Sequence, residues 1–96
     1  MSTVVDIGSL ITSTDDVRGG RPRIAGTGVT VQRVVRWYRL GLTPEEIADR
    51  IGHLSLAQVH AALSYYHANR QQIDAEIAAD DQEDERASAP ANGTKP

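Results

Sequence analysis

The spacing of apolar side chains along the chain predicts a short extended region followed by three helices. The runs "SLITS" (9–13) and "PRIAG" (22–26) are brief, β-prone and bounded by turn sequences, which predicts two short strands. From Val31, apolar residues recur every three or four positions, which predicts a helix that stops before Gly41. An isolated strand pair is marginal in water, so these strands must pack on something, for instance on a second chain.

Two further helices have clear start signals. "TPEE" offers Thr43 as N-cap, proline at the first helical position and Glu46 three residues after the cap, which is a capping box. "SLAQ" repeats the signal with Ser55 and Gln58. The third helix is expected to continue without a break, because its apolar residues keep helical spacing. These residues are Leu56, Val59, Leu63, Tyr66, Ile73 and Ile77.

A short helix, the turn "GHLS" and a second helix make up a helix-turn-helix pattern. A preceding helix from Val31 to Leu40 completes a three-helix core of the homeodomain type. The predicted fold is therefore mainly α with a small β element: two short N-terminal strands, a homeodomain-like helix-turn-helix core and a long C-terminal helix. The predicted segments are 1–30 (strands and glycine-rich turn), 31–69 (helix-turn-helix core), 70–86 (acidic amphipathic helical extension) and 87–96 (disordered tail).

Length and composition narrow the function classes. A chain of 96 residues forms one small domain, and the absence of cysteine excludes disulfides and thiol nucleophiles. The apolar runs are far shorter than the ~20 residues that span a bilayer. The first residues lack the basic start of a secretory signal, so a cytoplasmic protein with no membrane partner is expected.

The net charge of −3 hides an asymmetry. Up to Arg70, eight arginines outnumber six acids, whereas from Gln71 onward seven acids face only two basic residues. This asymmetry indicates either two different partners, or one partner and a solubilising segment. Because the 70–86 extension would be marginal as a free helix, docking on a partner is favoured. The predicted partner contacts are Tyr66, Arg70, Ile73 and Ile77; the alternative is that the two isoleucines pack in a homodimer.

The stretch "GGRPRIAGTGVTVQRVVRWYRLGLTPEEIADRIGHLSLAQVHAALSYY" resembles a bacterial and archaeal family known as domain of unknown function 433. The family pattern has a glycine-lysine-proline run, an "I-x-G-T-R-I" turn, a hydrophobic helix, "G-x-[ST]-x-E-E-I" and "L-[ST]-x-x-x-[VI]-x-x-A-L-x-Y". The resemblance covers about 10–66. It implies a helix-turn-helix protein similar to VapB-like antitoxins, which are paired with a PIN-like ribonuclease toxin. This chain departs from the pattern at Gly28, where the family commonly has arginine.

The turn formed by Gly26, Thr27 and Gly28 invites three interpretations. A dinucleotide site is disfavoured, because Val31 takes the place of a third glycine and the chain lacks a βαβ unit. The favoured interpretation is structural: the two glycines adopt backbone angles closed to other residues and turn the strand into the helix. A nucleic-acid phosphate resting beside the turn is the third.

Arginines dominate the predicted DNA-contacting surface. Those of the first helix share its polar side, where they either pair with DNA phosphates or are simply solvated. The recognition helix is poor in positive charge, since no Lys or Arg occurs between Leu56 and Asn69, so DNA binding would need a dimer or a toxin complex. The predicted DNA contacts are Arg21, Arg23, Arg33, Arg36, Arg39, Ser55 and Gln58.

No pattern indicates catalysis, a metal or a cofactor. His53, His60 and His67 are spaced by seven, which on a helix separates neighbours by ~10.5 Å, too far to share one ion. The chain is therefore expected to be a non-enzyme. The resemblance leads us to expect an antitoxin that inhibits a PIN-like ribonuclease and, as a dimer, recognises its own operator. The alternatives are a stand-alone DNA-binding regulator and a protein-interaction adaptor that never touches DNA.

Overall fold

The computed structural model describes residues 6–88, which form two short strands and four helices. The strands are β1 (Ile11–Thr12) and β2 (Arg23–Ile24), and the helices are α1 (Val31–Arg39), α2 (Pro44–Ile51), α3 (Leu56–Ala68) and α4 (Arg70–Ser88). The prediction of a mainly helical fold with a small N-terminal sheet and a long C-terminal helix is confirmed.

The two strands pair antiparallel, with Ile11 opposite Ile24, and pack on α3 of the same chain. Ile24 is fully buried, and its N–H donates to the carbonyl of Val29 at 2.8 Å, which closes the glycine-rich turn. The N–H of Val31 donates to the carbonyl of Pro22 at 2.9 Å. These bonds fix the start of α1 against the strand that precedes it.

Both predicted capping boxes are present. The hydroxyls of Thr43 and Ser55 accept from the N–H groups of Glu46 and Gln58, at 3.2 and 3.1 Å. In return, the side chains of Glu46 and Gln58 accept from the N–H groups of Thr43 and Ser55, at 2.8 and 2.7 Å. Each box satisfies N–H groups that a helix leaves unpaired, so α2 and α3 begin where the sequence predicts.

Helices α1, α2 and α3 surround one apolar core. Val34 and Val35 of α1, Ile47 of α2 and Val59 of α3 are completely buried. Leu54 lies in the turn between α2 and α3 with 8% of its surface exposed, as the helix-turn-helix pattern requires. Tyr38 has the same helical spacing as the buried valines of α1, but it is 40% exposed.

The prediction of an unbroken third helix is wrong, because the helix is interrupted at Asn69, which separates α3 from α4. This residue leaves helical geometry (φ −135°, ψ 44°), and its side-chain amide donates to the carbonyl of Tyr65 at 3.0 Å. The apolar spacing stays in phase across the break, so periodicity alone gives no sign of it. Helix α4 reaches Ser88, so the predicted disordered tail begins too early; 89–96 lies outside the described residues.

Helix α4 is part of the core. Ile73 is fully buried and Ile77 is 5% exposed, and both belong to the same apolar cluster as the buried valines of α1. The segment 70–86 is therefore not an extension outside the fold, at least as far as Ile77.

We expect Ile73→Ala to lower the free energy of unfolding by about 2–4 kcal/mol, because it leaves a cavity in a fully buried position. Urea unfolding followed by circular dichroism measures the change. Leu40→Ala is the control: Leu40 is 77% exposed, so the same kind of truncation should cost well under about 1 kcal/mol. Equal losses for the two variants would contradict the packing of α4.

Candidate functional site

The arginines of α1 face the acids of α4. Arg36 Nη2 lies 3.0 Å from Asp81 Oδ1, and Arg39 pairs with Asp74. Because Arg39 at the end of α1 pairs with a residue near the start of α4, the two helices run antiparallel. Side chains that the sequence assigned to DNA therefore pair, within the chain, with acids that it assigned to a protein partner.

Three N–H donors converge on the carboxylate of Asp80. Arg21 binds both its oxygens, with Nη2 at 2.7 Å from Oδ1, and Gln32 Nε2 lies 2.9 Å from Oδ2. Gln32 is only 8% exposed, and its Oε1 accepts from Arg36 Nε at 3.4 Å, which orients the amide toward Asp80. The bonds from Arg21 and then from Gln32 lower the pKa of Asp80 to about 2. These donors together form an anion-binding site, which the carboxylate of Asp80 occupies.

A second cluster of polar side chains connects α1, α3 and α4. The hydroxyl of Tyr66 donates to Asp74 Oδ1 at 3.0 Å and accepts from Arg39 Nη2 at 3.1 Å. The guanidinium of Arg70 lies 5.3 Å from the centre of the Tyr66 ring, within the range of a cation–π contact. This cluster holds the beginning of α4 against α1 and α3.

The prediction that Ile73 and Ile77 contact a partner conflicts with the structure, because both side chains are buried in the chain's own core. The same holds for Tyr66, which is 3% exposed. The apolar stripe predicted these positions correctly as buried, but it could not tell burial within the chain from burial against a partner. Arg70 is exposed, and its guanidinium covers the Tyr66 ring.

The glycine-rich turn is held by Thr27 and Arg23. The Thr27 hydroxyl donates to the carbonyl of Ile24 at 2.8 Å and accepts from the N–H of Val29 at 3.0 Å. Arg23 Nε donates to the carbonyl of Thr27 at 3.2 Å. Arg23 therefore stabilises the turn in this structure, a role that the sequence prediction did not include.

Gly26 and Gly28 differ in backbone conformation and in surroundings. Gly26 has a φ of 79°, which favours glycine, as predicted. Gly28 has no positive φ, so for this residue the prediction of a special backbone angle is wrong. A Cβ at Gly28 would lie 2.9 Å from the guanidinium of Arg18, whose Nε donates to the Gly28 carbonyl at 3.0 Å. A side chain at position 28 would therefore require the flexible end of Arg18 to shift.

The start of α3 offers little to bind DNA bases. Ser55 and Gln58 are engaged with each other in the capping box. The exposed side chains of the helix carry no lysine or arginine, and the acids Glu45 and Asp49 of α2 line the adjacent groove with Leu56. This part of the surface disfavours a polyanion.

Arg33 differs from its neighbours on α1. It is exposed, and within residues 6–88 no carboxylate lies within ion-pair distance of it. Its guanidinium lies 5.8 Å from the centre of the Trp37 ring, and Arg50 lies at the same distance. Arg36 and Arg39, the other predicted DNA contacts on α1, form ion pairs with α4, whereas Arg33 forms none with the described carboxylates.

Sequence reasoning missed the residues that organise this site. Gln32 lies among the buried positions of α1, and the roles of Asp74, Asp80 and Asp81 depend on how α4 folds back. One signal was available: the opposite net charges of the two halves of the chain are also what an intrachain pairing of the halves would produce. Within the described part of the chain, no group of three or more His, Cys, Asp or Glu side chains is arranged to hold a metal.

Comparisons with known proteins agree with the fold. The family model "Protein of unknown function (DUF433)" matches residues 11–66. A crystal structure of a DUF433 member protein from Anabaena variabilis is similar to this chain at 34% identity and a TM-score of 0.69; the match covers 73% of this chain and 69% of that one. No curated protein matches the sequence. None of the helices in the described residues is long and apolar enough to cross a membrane.

We expect Asp80→Asn to weaken the pH dependence of stability. The pKa of Asp80 is lowered in the folded chain, so its contribution is complete above the ordinary value of 3.8 and is lost as the pH falls toward about 2. Because Arg21 and Asp80 remain 33% and 29% exposed, solvent screens the pair, and we expect a loss of about 1 kcal/mol. Urea unfolding at several pH values between neutral and about 2 measures it. Identical curves for both proteins would show that the ion pair does not stabilise the fold.

Proposed function

The chain belongs to the DUF433 family of proteins of unknown function, and we propose that it is the antitoxin of a type II toxin–antitoxin pair. In this proposal it binds and inhibits a PIN-like ribonuclease in the cytoplasm and has no catalytic activity of its own. The resemblance to VapB-like antitoxins supplies the class of partner. The exposed carboxylates at the end of α4 supply the contact, and they are the observation that carries the proposal.

Some acids of α4 are engaged within the chain, and others face solvent. Asp74, Asp80 and Asp81 bind arginines of the same chain. Farther along the helix, the side chains of Glu83 and Glu85 are exposed to solvent. A ribonuclease presents basic side chains to its RNA. An acidic helix end therefore complements such a surface and, by covering it, excludes the substrate.

An apolar surface lies beside the acids and adds to this support. Leu40 is 77% exposed and lines a groove with Trp37, Ile77 and Asp81. Protein interfaces commonly combine a central apolar contact with a charged rim. Leu40 and Trp37 therefore replace the buried isoleucines as the apolar part of the proposed partner surface.

The alternatives receive different support. A stand-alone regulator that reads bases with α3 is disfavoured, because the exposed face of α3 has no positive charge. An interaction adaptor would use the same Leu40 surface and the same acids. The identity of the partner separates the adaptor from the antitoxin, since only an antitoxin abolishes the activity of a ribonuclease.

We expect Glu83→Gln with Glu85→Gln to weaken inhibition of the cognate PIN-like ribonuclease that this proposal requires by about tenfold, through the loss of two interfacial charges. The purified nuclease is assayed on a fluorogenic RNA with increasing amounts of the wild-type or variant chain. Both glutamates are exposed, so the fold should be unchanged by circular dichroism.

The matched control is Glu45→Gln with Asp49→Asn, which removes the same charge from exposed positions of α2. We expect it to inhibit like the wild type. If wild-type chain leaves the nuclease fully active, the antitoxin proposal fails. If both double variants inhibit as well as the wild type, the inhibitory contact does not involve the end of α4.

A further inference from the structure

Helix α4 is held to the rest of the chain in two different ways. Up to Ile77 it is anchored by apolar burial, because Ile73 and Ile77 lie in the core. None of the described side chains after Ile77 is buried. The distal segment of α4, residues 78–86, is instead joined to α1 and to Arg21 through the carboxylates of Asp80 and Asp81. Ion pairs of this exposure are weak and screened by salt, so the distal segment can separate while Ile73 and Ile77 stay docked.

The donors around Asp80 remain in place when the distal segment separates. Arg21, which binds Asp80, lies two residues before β2. Gln32, which also binds Asp80, and Arg36, which binds Asp81, lie on α1, so none of the three belongs to α4. Gln32 is 92% buried and is oriented by Arg36. The N–H donors of these three side chains therefore form a preformed site that carries two positive charges. Once Asp80 leaves, no anion occupies this site.

From this arrangement we infer that Arg21, Gln32 and Arg36 form a binding site for a backbone phosphate of duplex DNA, which Asp80 occupies in the free chain. The guanidinium fork of Arg21 takes both oxygens of the carboxylate, and the same fork matches two oxygens of a phosphate. Asp80 acts as an intrachain competitor at high effective concentration, so DNA must displace the distal segment to bind.

A duplex fits the site better than a single strand. Proteins that bind single strands stack bases on aromatic side chains. The aromatic side chain beside Arg36 is Trp37, which is only partly exposed and already lies against the guanidiniums of Arg33 and Arg50. Arg33 is exposed on the same helix, one turn before Arg36, and adds positive charge beside the site. The first helices of helix-turn-helix proteins contact the DNA backbone. The inferred contact is therefore independent of base sequence, and it does not depend on the chain being an antitoxin.

The test compares Asp80→Ala with Glu85→Ala, which remove one negative charge each from the same helix. A short fluorescein-labelled duplex of arbitrary sequence is titrated with each full-length protein at low salt, and binding is followed by anisotropy. We expect Asp80→Ala to bind about five- to tenfold more tightly than wild type, and Glu85→Ala to differ from wild type by less than about twofold. Circular dichroism confirms that both variants are folded.

Adding Arg21→Gln to Asp80→Ala identifies the site. We expect the gain in affinity to disappear and the salt dependence of binding to fall by about one phosphate contact. Equal gains for Asp80→Ala and Glu85→Ala would overturn the inference, since net charge alone would then explain them. A gain that survives Arg21→Gln, or no duplex binding by Asp80→Ala, would overturn it too. Equal or tighter binding of a single-stranded RNA of the same length would overturn the assignment to duplex DNA.

Hydrogen exchange on the wild-type chain gives a second measurement. Saturating duplex should speed amide exchange in residues 78–86 and leave residues 70–77 protected, because the buried isoleucines remain docked. Unchanged exchange throughout α4 would contradict displacement of Asp80. No nuclease is present in these experiments, so their failure leaves the antitoxin proposal untouched, and failure of nuclease inhibition leaves this inference untouched.

Discussion

The burial of Ile73 and Ile77 is the contact on which the rest of this structure depends. These side chains fold α4 back along α1 after the break at Asn69 and thereby set the distance between the acids of one helix and the arginines of the other. The ion pairs themselves are half-exposed and too weak to direct the fold. Apolar packing thus decides the geometry, and the charges complement a placement that is already fixed.

That placement changes what the charged segments of the chain do. Read along the sequence, an arginine-rich head and an acidic tail indicate two external partners. In the folded chain much of this charge is paired internally, because Arg21, Arg36 and Arg39 form ion pairs with Asp80, Asp81 and Asp74. Among residues 6–88, the groups still exposed beside this pairing include Glu83 and Glu85, the apolar surface around Leu40, and Arg33 beside Trp37.

The two proposed activities both involve the distal segment of α4, which would bind a protein partner in one and leave α1 in the other. A basic protein surface would take the carboxylates after Asp81, whereas a DNA phosphate would take the donors that Asp80 now occupies. Binding of the distal segment by a protein partner would draw it away from α1, and the arginines beneath would be uncovered. The two ligands are then coupled through one segment that cannot contact both α1 and a partner with the same carboxylates.

The sequence by itself determined the local structure. Capping boxes at Thr43 and Ser55, the strand pair, and the apolar faces of the helices are all encoded by residues that act on neighbours close in the chain, so spacing was enough to find them. It also marked Ile73 and Ile77 as apolar-face positions. Only the tertiary structure decided what covers that face, that Arg18 occupies the space beside Gly28, and that Asp80 binds Arg21 across 59 residues of chain. Periodicity records which side of a helix avoids water, but it holds no information about which distant residue meets that side.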